Sequence, residues 1–154
     1  VPHLTLEEVN MDNLFKVCKL SDTLSPGQQK CVAPNVYSIA QAHFYEHAWF
    51  RAIYLDGAPI GFIMVDIQPS DLPTEEAPSV FLWRFMIGRD FQHKGYGRKV
   101  LDIITDKYRK EGKKYLYVSC EMDEEEGPYQ FYLNYGFKDT GVMDDDEEVL
   151  KMKL

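Results

Sequence analysis

Cysteine is scarce in the 154 residues: only Cys18, Cys31 and Cys120 occur, widely spaced and without a C-x-x-C pair. That excludes a disulfide framework and a cysteine-based zinc site, and it points to a reducing, cytoplasmic setting. Histidine is nearly as rare. His43 and His47 stand four apart on an expected helix, but no third ligand follows at metal-site spacing, so both read as helix-face residues and no metal is expected. Basic residues are outnumbered, 17 against 25 acidic, for a net charge of -8. A surface of that sign repels nucleic acid and anionic membrane and attracts cations. Apolar runs are too short to span a bilayer, and the first residues show no basic start followed by an apolar stretch. Internal repeats are lacking, and only the acidic runs are compositionally biased.

What is present suits one domain over residues 1–154, with 45% hydrophobic and 14% aromatic content to build a core. Leu4 to Val9 alternates as a strand, and Asp12 or Asn13 caps a short helix through Leu14, Phe15, Cys18 and Lys19. Ser25-Pro26-Gly27 is turn chemistry, after which Val36, Ile39, Ala40, Phe44 and His47 recur at helical spacing, predicting a helix from Asn35 to His47. Phe50 to Leu55 and Ala58 to Ile67 are β-rich runs joined by Asp56-Gly57, a strong hairpin signal. A proline-rich acidic loop from Pro69 to Pro78 precedes a long strand, Val80 to Ile87. Val100, Leu101, Ile104 and Tyr108 then repeat on one helix face as far as Glu111-Gly112. Tyr115 to Cys120 reads as a strand, Pro128 to Tyr135 as a short helix, and Phe137 to Leu154 as two strands around an acidic loop. The order is mixed α/β.

The most informative stretch is Gln92-His93-Lys94-Gly95-Tyr96-Gly97, which follows an apolar strand and opens a helix. Exposed amides and the positive end of a helix dipole converge there on one point, an arrangement suited to a phosphorylated ligand. A dinucleotide fingerprint would need a third glycine where Val100 stands, and a P-loop would need a Gly-Lys-Ser/Thr ending that is missing. What remains is Gln/Arg-x-x-Gly-x-Gly/Ala after a strand. A second motif, Phe131-Tyr132-Leu133-Asn134-Tyr135-Gly136-Phe137, lies downstream. In this order and separation the pair resembles the pyrophosphate loop and the aromatic-Tyr signature of the GNAT superfamily of acyl-CoA-dependent N-acyltransferases. Within it, the segments from Val32 to Ala42 and Leu82 to Ile87 are similar to bacterial diamine and polyamine (spermine/spermidine) N-acetyltransferases.

That resemblance covers essentially the whole chain and implies a central, mostly antiparallel sheet in which two parallel strands splay apart, flanked by helices. It also implies acetyl-CoA as the coenzyme. The backbone of Phe85, Met86 and Ile87 would pair with its pantetheine arm, and the amides from Gln92 through His93, Lys94, Gly95, Tyr96 and Gly97 to Arg98 would hold the pyrophosphate, with charge from Lys94 or Arg98. Tyr132, by its place in the motif, would donate a proton to the departing thiolate; as a plain residue it would be one more half-buried aromatic. Many members carry Asn and Ala where this chain has Glu125 and Pro128, so those contacts do not transfer.

Sequence alone fixes no general base. Glu121, just past the second splayed strand, is the candidate, beside a water chain that removes the proton and beside its reading as a solvated loop carboxylate. Cys120 lacks a His and acid partner and reads as a small core residue. Trp83, Tyr45 and Glu46 are candidates to line the acceptor path, or else sheet packing and helix surface. The acid runs at Glu121 to Glu126 and Asp144 to Glu148 would border the acceptor in this topology and draw a cationic amine. The expected function is transfer of an acetyl group to a primary amine, a diamine or polyamine, by direct attack in a ternary complex. Another cationic amine (an aminoglycoside or protein amine) and a non-catalytic acyl-CoA-binding module stay open. A homodimer is common in families of this kind.

Overall fold

Asp56 and Gly57 both adopt positive φ, 49° and 87°, and close the tight hairpin between β2 (Ala48–Leu55) and β3 (Ala58–Asp66). The computed structural model describes residues 2–72, 76–122 and 127–154. Around this hairpin a seven-stranded sheet forms, with β1 (Leu4–Glu7), β4 (Ser79–Ile87), β5 (Tyr115–Cys120), β6 (Lys138–Asp144) and β7 (Glu147–Lys153). Its order is β1-β2-β3-β4-β5-β7-β6, and among the described residues β4 with β5 is the one parallel pair, beside antiparallel neighbours. The helices are α1 (Leu14–Lys19), α2 (Pro26–Cys31), α3 (Asn35–Ala42), α4 (Tyr96–Lys110) and α5 (Tyr129–Tyr135).

Alternation along β3 assigns the two faces. Ile63 and Val65 pack with Val100, Leu101 and Ile104 of α4, whereas Phe62 and Met64 pack with Val17 of α1 and Ile39 of α3. Because helices cover both sides, the strand reads as a continuous apolar run instead of an alternating one. Asn35, 1% exposed, pins α3 to α1 by donating its side-chain N–H to the Val17 carbonyl at 2.8 Å.

Two features of β4 open the sheet. It pairs with β5 only from Ser79↔Tyr115 to Leu82↔Val118, so its last five residues, Trp83 to Ile87, have no β5 partner. On the other side Met64 faces Arg84 and Val65 faces Leu82, which leaves Trp83 as the extra residue of a β-bulge. A bulge bends its strand and increases the twist, here at the point where the parallel pair parts.

Several sequence expectations need correction. The helix expected to run to His47 ends at Ala42, so His43 and His47 do not share a helix face; His47 instead pairs with Glu46 at 3.4 Å. Ser25-Pro26-Gly27 is not a bare turn but the start of α2: Ser25 and Gln28 form a reciprocal capping box, with Pro26 in the first turn. The first strand stops at Glu7. The acidic loop near the C-terminus shrinks to the two-residue turn Asp145-Asp146, with Asp144 and Glu147 directly opposed on the flanking strands.

Candidate functional site

The parting of β4 from β5 leaves a cleft of about 420 Å³ that ends at the N-terminus of α4. Among the described residues, no backbone carbonyl takes the amides of residues 93–98, so several N–H groups point out of the chain at the positive end of a fifteen-residue helix. His93 (φ 60°) and Gly95 (φ 85°) make the left-handed turns that present them. The glycines serve different ends. A Cβ on Gly95 would meet nothing within 4 Å, so its glycine answers to backbone conformation. A Cβ on Gly97 would stand 3.2 Å from the Phe131 ring, so that glycine admits α5 against α4.

The two sequence motifs therefore interlock. Phe131 also packs on Phe85 of the open strand, Tyr135 donates to the Asp102 carboxylate of α4 at 2.7 Å, and the Arg98 guanidinium lies 5.3 Å above the Tyr135 ring. Gln92 braces the loop. Its amide donates to the Ile87 carbonyl at 2.8 Å and pairs with Gln28 of α2, which holds α2 over the cleft. Of the residues assigned to the cofactor by sequence, Phe85, Met86, Ile87, Gln92, His93, Gly95, Gly97 and Arg98 line the cleft. Lys94 does not line it and is exposed, and Tyr96 packs its ring against the main core.

Tyr132 lies at the inner end of this cleft, 5% exposed and edge-on to Phe131 and Phe137. Burial pushes its phenol above the ordinary value, with smaller contributions from Cys120 and Glu147, and the hydroxyl makes no hydrogen bond to a described residue. A buried phenol that keeps its proton can donate it to a group entering the cleft. Cys120 beside it is buried, and burial, aided by Glu147, pushes its thiol up to about 12. Such a thiol is not a nucleophile near neutral pH.

A second cavity, about 520 Å³, adjoins the first, and both are walled by Trp83, Arg84, Ser119, Cys120 and Pro128. Five carboxylates line the second one, Glu121, Asp144, Asp145, Asp146 and Glu147, against two cations, Lys30 and Arg84. Glu121 is exposed on this wall, and the rest of its run, residues 123–126, lies outside the described residues. Glu147 differs from the others. It is half-buried, accepts from the Ser119 hydroxyl at 3.4 Å, and burial raises its carboxyl above the usual carboxylate range.

Arg84 projects from the strand next to the bulge. It lies over the Trp83 ring at 5.2 Å, donates to Gln41 and to the Trp83 carbonyl, and keeps its Nε buried without a partner among the described residues. Burial lowers its pKa, and Tyr37 and then Glu147 counteract that by Coulomb attraction. Of the residues expected along the acceptor path, Trp83 lies between the two cavities. Tyr45 and Glu46 line neither. Tyr45 packs edge-on against Trp83 and donates to Asp66, its phenol pushed up to about 12 by burial and by that bond, and Glu46 is exposed. Sequence reasoning missed Arg84 and did not single out Glu147. The acidic run was the available signal for Glu147, but a run of five acids does not tell which one turns inward.

The family model described as Acetyltransferase (GNAT) family matches residues 13–137. Among curated proteins, the spermine/spermidine N(1)-acetyltransferase of Bacillus subtilis (strain 168) is 26% identical over 114 residues, covering 73% of this chain and 72% of that protein. Among solved structures, the GNAT domain of S. lividans PAT superposes with a TM-score of 0.77 at 13% identity, over 99% of this chain and 90% of that one. The PaiA N-acetyltransferase of Thermoplasma acidophilum, solved in complex with coenzyme A, gives a TM-score of 0.68 at 16% identity, over 99% of both chains. With the splayed parallel pair, the helix-terminal glycine loop and the interlocked aromatic motif in place, and with the family model spanning most of its length, the chain belongs to the acetyltransferase (GNAT) family.

Proposed function

We propose that the protein is an acetyl-CoA-dependent acetyltransferase of small polycationic amines, a diamine or polyamine such as spermidine or spermine. The observation that carries the amine class is the second cavity, whose five carboxylates outnumber its two cations and which shares Ser119 and Cys120 with the cleft that Tyr132 lines. The similarity to spermine/spermidine acetyltransferases supports the same reading.

Acetyl-CoA would supply a thioester, an acyl group already activated toward an amine. The chain's own residues do the rest. The amides of residues 93–98, which no described backbone carbonyl takes, and the α4 dipole suit a pyrophosphate, and Arg98 adds charge at the same rim. The open edge of Phe85 and Met86 suits an extended, amide-bearing arm, by the same backbone pairing that joins strands. Tyr132 holds its proton at the phenol oxygen, ready for a developing thiolate. The acidic wall holds a distal ammonium while the reacting nitrogen sits at the drier junction of the two cavities, where desolvation favours its neutral form.

The test is free-thiol release from acetyl-CoA with spermidine, spermine, putrescine, an aminoglycoside and a lysine peptide. Turnover should appear with the polyamines and fall about 10²-fold or more in Tyr132→Phe, at coenzyme A affinity within about twofold. Release with the aminoglycoside or peptide alone would reject the polyamine reading and keep the enzyme. Coenzyme binding without release from any amine would reject catalysis.

A further inference from the structure

The carboxylate best placed to handle the reacting nitrogen is not the one that chain position suggested. Glu121 stands at the exposed lip of the second cavity. Glu147, the first residue of β7, reaches the end of β5 from the far side: Cys120 pairs with Glu148 in the sheet register, and Glu147 lies one residue beyond. Its oxygen accepts from the Ser119 hydroxyl at 3.4 Å. Of the five cavity carboxylates, among the described residues it is the one whose charge acts on the Tyr132 phenol. Ser119 and Cys120, its neighbours on β5, line both cavities.

We propose that Glu147 receives the reacting amine and takes its proton. This rests on the acetyltransferase reading above. The groups facing Glu147 are Arg84 from β4, Ser119 and Cys120 from β5, Tyr132 from α5, Asp144 from β6 and Asp145 from the turn. Desolvation and the two aspartates oppose its charge, while Arg84 and the Ser119 bond favour it, and the balance leaves a carboxylate more basic than an exposed one. Arg84 is not within ion-pair distance of it, so the carboxylate is left open to an incoming ammonium.

The protons balance. An ammonium entering the cavity gives one proton to Glu147, and the freed nitrogen forms the C–N bond to the acetyl carbon of the thioester as the C–S bond breaks. The departing thiolate takes the Tyr132 phenol proton, and the phenolate takes the second proton from the new amide nitrogen. Glu147 then returns its proton to solvent through the open cavity. One proton is released per turnover.

The experiment compares wild type, Glu147→Gln and Glu147→Asp in thiol release with spermidine from pH 5 to 9, alongside 13C NMR of protein labelled at the glutamate carboxyl carbons. In wild type, kcat should fall on the acidic side as Glu147 becomes protonated. Glu147→Gln should lose about 10²-fold in kcat together with that acidic limb, and Glu147→Asp should recover part of the rate and the limb. The resonance missing from Glu147→Gln should titrate above the ordinary carboxylate range and shift when spermidine is added without acyl donor. A Glu147→Gln enzyme within twofold of wild-type kcat, or one that loses only KM and keeps the acidic limb, overturns the proposal. So does a Glu147 resonance in the ordinary range that ignores spermidine. Absence of turnover in wild type with any amine is a different failure: it rejects the acetyltransferase reading, and the resonance alone then decides whether Glu147 receives an amine.

Discussion

Burial of single polar groups governs the chemistry of the site, and it leaves a thermodynamic signature at Glu147. Its carboxyl is raised in the folded state, chiefly by burial. A raised carboxyl favours folding below its unfolded value near 4.3 and opposes it once pH rises through the folded value. Replacing Glu147 by Gln should therefore raise Tm at pH 7, with the gain shrinking as pH falls toward 4, as thermal melts across that range would record. A site residue that lowers stability is common where function needs a desolvated charge. Cys120 carries the opposite message. With its thiol pushed up to about 12 it stays protonated, so enzyme mixed with acetyl-CoA alone should show no acetyl mass on Cys120, and Cys120→Ala should turn over within about tenfold of wild type.

Between elements, the contact of α4 with α5 lets the two glycines of the loop be told apart. Gly95→Ala forces an alanine to φ 85°, at about 1–2 kcal/mol, and should weaken coenzyme A binding about tenfold or more. Gly97→Ala pushes on the Phe131 ring, so a second change, Phe131→Leu, should restore much of its lost affinity while leaving Gly95→Ala unrescued. Calorimetric titration of the four variants with coenzyme A gives the answer. Sequence made this loop legible because glycines after an apolar strand and before a periodic helix have few other uses. It did not reveal that Gly97 answers to Phe131, since that is a tertiary contact across 34 positions. Tyr115 to Cys120 and the Asp56-Gly57 hairpin were legible from strand composition and turn chemistry. The short α2 was not, because six residues carry too little periodicity and the Ser25 cap resembles a turn until the Gln28 reciprocal bond is seen. Tyr45 and Glu46 fell outside the cavities because α3 ends at Ala42, five residues earlier than its apolar spacing suggested.

For the whole molecule, the net charge of -8 and the carboxylates gathered on one cavity make association with a cationic acceptor sensitive to ionic strength. The kcat/KM for spermidine should fall between 20 and 300 mM salt, and more steeply than for the less charged putrescine; equal slopes would show that the wall is not felt by the acceptor. The division of labour in the fold has a last consequence. The open end of β4, the glycine loop and α5 wall the first cavity, whereas much of the acidic wall of the second hangs from the β6–β7 turn of two residues. A turn with Asp145 alone at positive φ among its non-glycine residues is an easy place for a lineage, or a protein engineer, to insert or exchange residues. Variants that differ only there should retain the donor and change their clientele, so that this hairpin behaves as an exchangeable faceplate on an unchanged motor.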